Sequence, residues 1–257
     1  MKIAVITGAS SGMGRELAVA VTKEERFDQL WVIARRADRL EELKKLVDCP
    51  VRVLAMDLTE RESLERYRGL LAEEKPDVRL LANVSGYGRF GSYRDIPLED
   101  SLNMIDLNVK ALVAVTELSL PYMDRGGRIL QLDSMSAFLP LPYLNVYAAT
   151  KAFVLHYARG LNRELKSRGI RVLAVCPYWV QTGFFATAEK TGNGKVRVFD
   201  KVYSPQRVVR SAVRALYRSK GDVHIPGLYA KVLHAGMKLI PAGIGMTAWL
   251  KQQGLDR

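Results

Sequence analysis

The sequence has 257 residues, with 39 Lys plus Arg against 27 Asp plus Glu for a net charge of +12; it is 48% hydrophobic and 26% charged. A globular chain of this size buries about three quarters of its unfolded surface, so its fold calls for neither disulfides nor a structural metal. Zinc is not expected, because Cys49 and Cys176 form no CxxC pair and His156, His224 and His234 have no ligand spacing, and Lys231, His234 and Lys238 break the 228–250 stretch as a membrane span.

In chain order, a Val- and Ile-rich run predicts a strand at 2–7, followed by a helix at 13–24. This strand runs from Lys2 straight into glycines, without the apolar stretch and cleavage site of a leader, so a chain starting at Met1 in the cytoplasm is expected. Further strands are predicted at 30–34, 51–55, 79–82, 127–132, 170–176 and 222–225, separated by helices at 38–47, 60–74, 100–120, 145–168 and 205–219. The alternation predicts a doubly wound α/β sheet, parallel, with helices on both faces and ligands beyond the carboxyl ends of its strands. One stretch, 177–204, has no sustained periodicity; Pro177, Gly183, Gly192, Gly194 and Pro205 punctuate it, and it reads as a lid. Residues 226–257 predict one or two short helices split by Pro241, Gly243 and Gly245, with Leu, Met and Trp side chains suited to packing on the body.

Thr7-Gly8-Ala9-Ser10-Ser11-Gly12-Met13-Gly14 ends the first strand and opens the first helix. Gly8 suits a sharp turn, Gly12 a close approach to a diphosphate and Gly14 tight helix–sheet packing, and a helix N-terminus offers free N–H groups to an anion. The second strand ends in Ala34-Arg35-Arg36 where an NAD site carries an acid, so NADP(H) is expected, its 2′-phosphate held by the two guanidiniums. Asp57-Leu58 follows the third strand, where Asp57 either caps the following helix or bonds an adenine amine as well; Asn83-Val84-Ser85-Gly86 follows the fourth.

Tyr147 and Lys151 stand one helical turn apart on one face, just after a strand that ends in Leu132-Asp133-Ser134. A carbonyl that accepts hydride needs a proton donor at its oxygen. An ammonium beside the phenol favours the phenolate and draws its pKa from about 10 toward neutrality, which suits Tyr147 for giving or taking that proton while Ser134 holds the substrate oxygen.

With these motifs in order, the chain resembles the short-chain dehydrogenase/reductase family over about residues 2–225, through TGASSGMG, Asp57, NVSG, Asn108, Ser134, Tyr147 with Lys151, and Pro177 to Thr182. The resemblance implies a Rossmann-type domain at 1–225, including the lid, with the 226–257 extension packed on it. It implies Tyr147 as acid/base, Lys151 lowering its pKa and bonding the nicotinamide ribose, Ser134 orienting the carbonyl and Asn108 supporting a water-linked proton path. It also implies Pro177, Val180 and Thr182 beside the nicotinamide, and a homodimer or homotetramer. Two departures stand out: Val84-Ser85 replaces the family's Asn-Ala, and Tyr178 replaces the Gly after Pro177, where it and Trp179 would narrow the pocket. More loosely, SAFLPLPYLNVYAATKAF resembles the branch of 3-ketoacyl-thioester reductases and hydroxysteroid dehydrogenases, which implies a small-molecule ketone or alcohol substrate, with an acyl thioester among the candidates.

Phe138, Leu139, Leu141, Tyr143, Tyr178, Trp179, Phe184 and Phe185 are expected to line an apolar cleft or to serve as core. Residues 1–128 carry 20 basic and 21 acidic side chains, and 129–257 carry 19 and 6. Arg207, Arg210, Arg214 and Arg218 form a stripe on one helix. That charge alone supports one rival reading, a basic membrane-surface or nucleic-acid-binding protein, although no nucleic-acid partner is expected; the other rival is a regulator or scaffold that binds NADPH without turnover.

Overall fold

The computed structural model describes residues 1–191 and 194–255, so the expected lid residue Gly192 lies outside the described residues. Seven parallel strands form one sheet: β1 (Lys2–Thr7), β2 (Gln29–Ala34), β3 (Val51–Ala55), β4 (Asp77–Asn83), β5 (Arg128–Leu132), β6 (Arg171–Val175) and, counted in chain order, β9 (Val223–His224). Their order is β3-β2-β1-β4-β5-β6-β9, which reverses between β1 and β4. All seven fall where the apolar runs predict them.

Alternation along β1 divides the core. Ile3 and Val5 point to one side, under α3 (Arg61–Glu74), α5 (Leu112–Ser119) and α6 (Asn145–Glu164). Ala4 and Ile6 point to the other, under α1 (Gly12–Glu24) and α8 (Pro205–Arg218). All four are fully buried, which is why the strand reads as one apolar run rather than as an alternating one.

Several helix bounds differ from expectation. The predicted helix at 38–47 is α2 (Ala37–Glu41) with a tighter 3-10 turn behind it, Glu42–Lys45. That at 100–120 is α4 (Leu98–Ile105) and α5, joined by a π-helical turn over Asp106–Ala111 that inserts an extra residue and turns Asn108 inward. The stretch 177–204 carries more order than its irregular sequence suggests: β7 (Trp179–Val180) pairs with β8 (Val202–Tyr203), and α7 (Phe184–Ala188) lies between them. Beyond β9 come α9 (Leu228–Met237) and α10 (Ala242–Gln253). Pro241 caps α10, while Gly243 and Gly245 lie within it and break nothing. The four arginines of α8 are all exposed; Arg218 meets Glu24 at 3.4 Å and Arg207 lies 5.3 Å over the Tyr203 ring, as on an ordinary solvated face.

Candidate active site

The loops after β1, β4, β5 and β6 surround a cavity of about 1330 Å³ at the reversal of strand order. Its first wall is the β1–α1 turn. Gly8 and Gly12 have φ of +69° and +53°, and a Cβ on Gly8 would stand 2.8 Å from the Ser85 amide nitrogen. A Cβ on Gly14 would stand 2.2 Å from the Gly8 carbonyl oxygen, so both positions exclude side chains. Helix α1 opens at Gly12 with no side-chain cap from Ser11 and no acid in its first turn, leaving its N–H groups to an anion. Arg36 Nη2 donates to Ser10 Oγ at 3.2 Å and Ser11 Oγ at 3.1 Å, which holds a guanidinium beside this turn. Arg35 faces Asp57 at 3.6 Å with its side chain 76% exposed. Asp57 Oδ1 accepts from Thr59 N and Thr59 Oγ1, so it braces its own turn and caps no helix. This donor set, two guanidiniums and a bare helix N-terminus, fits the anionic phosphates of a dinucleotide.

The second wall is α6. Its buried residues include Tyr147, Ala148, Thr150, Lys151, Val154, Leu155 and Ala158, a 3.6-residue stripe that turns Tyr147 and Lys151 into the cavity. Lys151 Nζ donates to the Leu132 carbonyl at 2.7 Å and lies 5.8 Å from the centre of the Tyr147 ring. Ser134 lies two residues past β5, beside the Tyr147 hydroxyl, and its Oγ accepts from Ser136 N at 3.1 Å.

The electrostatics correct one expectation. Burial pushes the Tyr147 phenol above its ordinary value; Ser134 favours the phenolate and the Asp133 carboxylate opposes it. Lys151, tied to a carbonyl and itself pushed down by burial, does not reverse that balance. At neutral pH Tyr147 therefore holds its proton.

Asp133 is a feature that spacing did not single out. It is buried, its N–H donates to the Val175 carbonyl at 2.8 Å, and Cys176 Sγ lies 3.5 Å from its Oδ2, while Oδ1 has no hydrogen-bond partner. Burial raises its pKa and Lys151 opposes the rise; in turn Asp133 pulls the Lys151 pKa up against burial. Asp133→Asn removes that anion, so Lys151 loses its proton at a lower pH. The alkaline limb of a kcat profile is expected to move to lower pH; an unmoved limb contradicts the coupling.

Asn108 stands behind the cavity rather than in its wall. Its Oδ1 accepts from Tyr87 N at 3.0 Å, and its Nδ2 donates to the Tyr87 carbonyl at 2.9 Å and Thr150 Oγ1 at 3.1 Å, clamping the loop after β4 to α6. Asn83 does not reach the cavity: its Nδ2 donates to Thr116 Oγ1 at 2.9 Å, beneath the sheet end. The other expected cofactor residues, Gly8 to Thr182, all line the cavity.

Of the expected cleft residues, Tyr178, Trp179 and Phe184 line the wall, with Leu139 and Leu141. Phe138 does not: its ring packs 4.0 Å from His234 in the core under α9. Tyr143 does not either; its φ of +67° turns it out of the wall, and its ring lies 5.3 Å from Lys195 Nζ. Phe185 instead packs on Phe199, ring centres 4.7 Å apart. Phe184 covers the Tyr147 ring at 5.2 Å. The Tyr178 hydroxyl donates to Asp200 Oδ1 at 2.6 Å and that of Tyr229 donates to Oδ2, so Asp200 fastens the lid to α9 while the aromatic in place of glycine braces Asp200 and packs on the Tyr229 ring at 5.6 Å. The extension adds wall residues that spacing gave no sign of: Val232, Leu233, Met237, Ile240 and Trp249.

The chain is similar to known proteins. The short chain dehydrogenase family profile matches residues 2–193. The chain belongs to the short-chain dehydrogenase family. Serine 3-dehydrogenase of Rhizobium radiobacter is 32% identical over 204 residues, 77% of this chain and 79% of that one. Very-long-chain 3-oxoacyl-CoA reductase of Anas platyrhynchos is 33% identical over 221 residues, 82% of this chain and 67% of that one. A solved short-chain dehydrogenase from Sphingobium yanoikuyae in complex with NADPH superposes with a TM-score of 0.79 at 27% identity, covering 96% of each chain. As a short-chain dehydrogenase, this protein is an oxidoreductase that acts on alcohol or ketone groups with NAD(P). Among its described residues no helix is long and apolar enough to cross a membrane.

Proposed function

We propose that the protein is an NADP(H)-dependent reductase of a ketone carried on an apolar small molecule. The observation that carries this reading is a buried Tyr147 beside Ser134 in the wall of a cavity that joins the glycine turn to an apolar cleft. When bound, the nicotinamide dinucleotide supplies the hydride. Ser134 hydrogen-bonds the carbonyl oxygen, and Tyr147 gives its proton to that oxygen as negative charge develops there. Lys151, which faces the same cavity, would hold the ribose of the bound dinucleotide and replenish the proton; Asn108 positions Tyr147 and Lys151 by holding Tyr87 to α6. Because burial keeps the phenol protonated, reduction is favoured at neutral pH, and oxidation of the corresponding alcohol speeds up as pH rises.

The rival of an NADPH sensor without turnover lacks support from a site in which Ser134, Tyr147 and Lys151 all face one cavity. Purified protein with NADPH and a panel of diketones, steroids and ketoacyl thioesters is expected to lose nicotinamide absorbance; tight NADPH binding with no turnover on any of them would favour the sensor.

The preference for NADP(H) rests on Arg35 and Arg36. A charge-assisted hydrogen bond contributes about 1.5–3 kcal/mol, so Arg35→Ser with Arg36→Ser is expected to weaken NADPH binding by roughly 10- to 100-fold more than NADH binding. Equal losses by isothermal titration would remove the preference.

Residues 1–225, with the lid at 177–204, make the catalytic domain in this reading, and 226–257 is an extension packed on it, supported by the Trp249 Nε1 bond to the Pro142 carbonyl at 2.9 Å. A homodimer or homotetramer is supported by Leu98, Leu102 and Ile105 of α4 and Phe153 of α6, all exposed on helices that touch. Two free thiols suit the cytoplasm.

A further inference from the structure

Helices α9 and α10 carry apolar surface on two sides. On the inner side Ala230 is buried, Leu233 and Met237 lie against the core, and Trp249 is buried. The outer side is apolar as well. Leu228, Val232 and Leu239 are 76%, 64% and 85% exposed. Ala235 is exposed between them, and the spacings of 4, 3 and 4 set the four along one stripe that runs off the end of α9. Every residue from Lys238 to Ile244 is exposed, and five of these seven are apolar side chains or proline. Single exposed apolar residues are ordinary; a contiguous stripe marks a surface that meets something.

The charge around the stripe says what. No Asp or Glu occurs from 223 to 255, and exposed Lys231 and Lys238 flank the stripe. Two copies of the chain meeting here would set lysine against lysine, whereas an anionic bilayer satisfies the lysines and the apolar stripe together. The arginines of α8 play no part, because α8 packs on the opposite face of the sheet from α9. The stripe is also continuous with the cavity, since Val232 and Ile240 belong both to the exposed surface and to the cavity wall.

We propose that the α9–α10 segment docks on an anionic lipid surface, and that an apolar ketone enters the cavity from the bilayer past Val232 and Ile240. The entry route rests on the reductase reading above; the docking does not.

Sedimentation with phosphatidylcholine vesicles containing phosphatidylglycerol, against phosphatidylcholine alone, reads docking without catalysis. The full chain is expected to sediment with the anionic vesicles. Leu239→Glu with Ile244→Glu, both outside the cavity wall, is expected to weaken that binding at least about tenfold. Lys231→Gln and Lys238→Gln are each expected to weaken it about fivefold and to reduce its salt sensitivity. With the double Glu variant, turnover of a water-soluble ketone is expected to be unchanged and turnover of a bilayer-dissolved ketone to fall along with vesicle binding. No sedimentation with anionic vesicles, equal sedimentation by the double Glu variant, or a dimer that this variant dissociates overturns the docking. Undiminished turnover of the bilayer-dissolved ketone overturns the entry route. If no ketone of either kind turns over while sedimentation follows the expected pattern, the docking stands and the reductase reading falls.

Discussion

Tyr147→Phe is expected to lower kcat for ketone reduction by about 10²- to 10⁴-fold, the range that a positioned general acid contributes, with NADPH affinity little changed. The variant removes one hydroxyl and keeps the ring, which packs against Phe184 at 5.2 Å and would stand 3.0 Å from a Cβ on Gly88. The cavity and the glycine turn are thus preserved, and a loss in kcat isolates the proton. Without the phenol the alkoxide must draw a proton from water, in a wall that is otherwise apolar around Phe184 and Trp179. Steady-state kinetics beside a binding titration separates the two effects; a variant with near wild-type kcat would assign the proton to another group.

Gly14→Ala is expected to cost both stability and cofactor binding. A Cβ there would stand 2.2 Å from the Gly8 carbonyl oxygen and 2.7 Å from its carbonyl carbon, both backbone atoms that cannot turn aside. Gly8 is held in turn by its N–H to the Ile33 carbonyl at 2.8 Å, and its φ of +69° carries the chain past Ser85. Helix α1 must move off the sheet, and with it the N–H groups that meet the diphosphate. Overpacking of this kind costs about 1–3 kcal/mol, or roughly 2–10 °C in Tm for a chain this long. NADPH affinity is expected to fall by about 100-fold or more, because charge-assisted bonds to several displaced N–H groups are lost together. Gly69→Ala and Gly160→Ala serve as controls: both glycines are inside helices with nothing within 4 Å of an added Cβ. Each is expected to be neutral or to stabilise by up to about 1 kcal/mol. Thermal melts and binding titrations on the three variants check the contrast; similar behaviour of all three would contradict it.

The features that local sequence made legible are those set by local physics. Seven apolar runs place seven strands, since strands covered on both faces need continuous Val, Ile and Leu. Gly8 and Gly14 were legible because backbone crossings leave no other residue a place, and Gly12 because its φ of +53° favours glycine. Tyr147 and Lys151 share a face by helical period alone. What escaped was set by partners distant in sequence. The pairing of Trp179–Val180 with Val202–Tyr203 joins two residues at each end of an aperiodic stretch, too short to leave a pattern. Phe138 and Tyr143 flank the right positions, yet a 3-10 turn and a left-handed residue point them away from the cavity. Asn83 obeys its motif in sequence but spends its amide on Thr116. The expectation that Lys151 draws the phenol down counted one charge and left out burial, which outweighs it. The leucines of the extension show the limit of composition: Leu233 packs on the core while Leu239, six residues on, is 85% exposed.

Transfer of label from NADPH deuterated at the nicotinamide C4 tests the central claim most directly. For a ketone that the enzyme accepts, mass spectrometry is expected to find one deuterium on the new carbinol carbon with the wild-type protein, and almost none in the same interval with Tyr147→Phe. NADPH held firmly by the wild-type protein, with no deuterium delivered to any carbonyl carbon across the panel, would contradict the account.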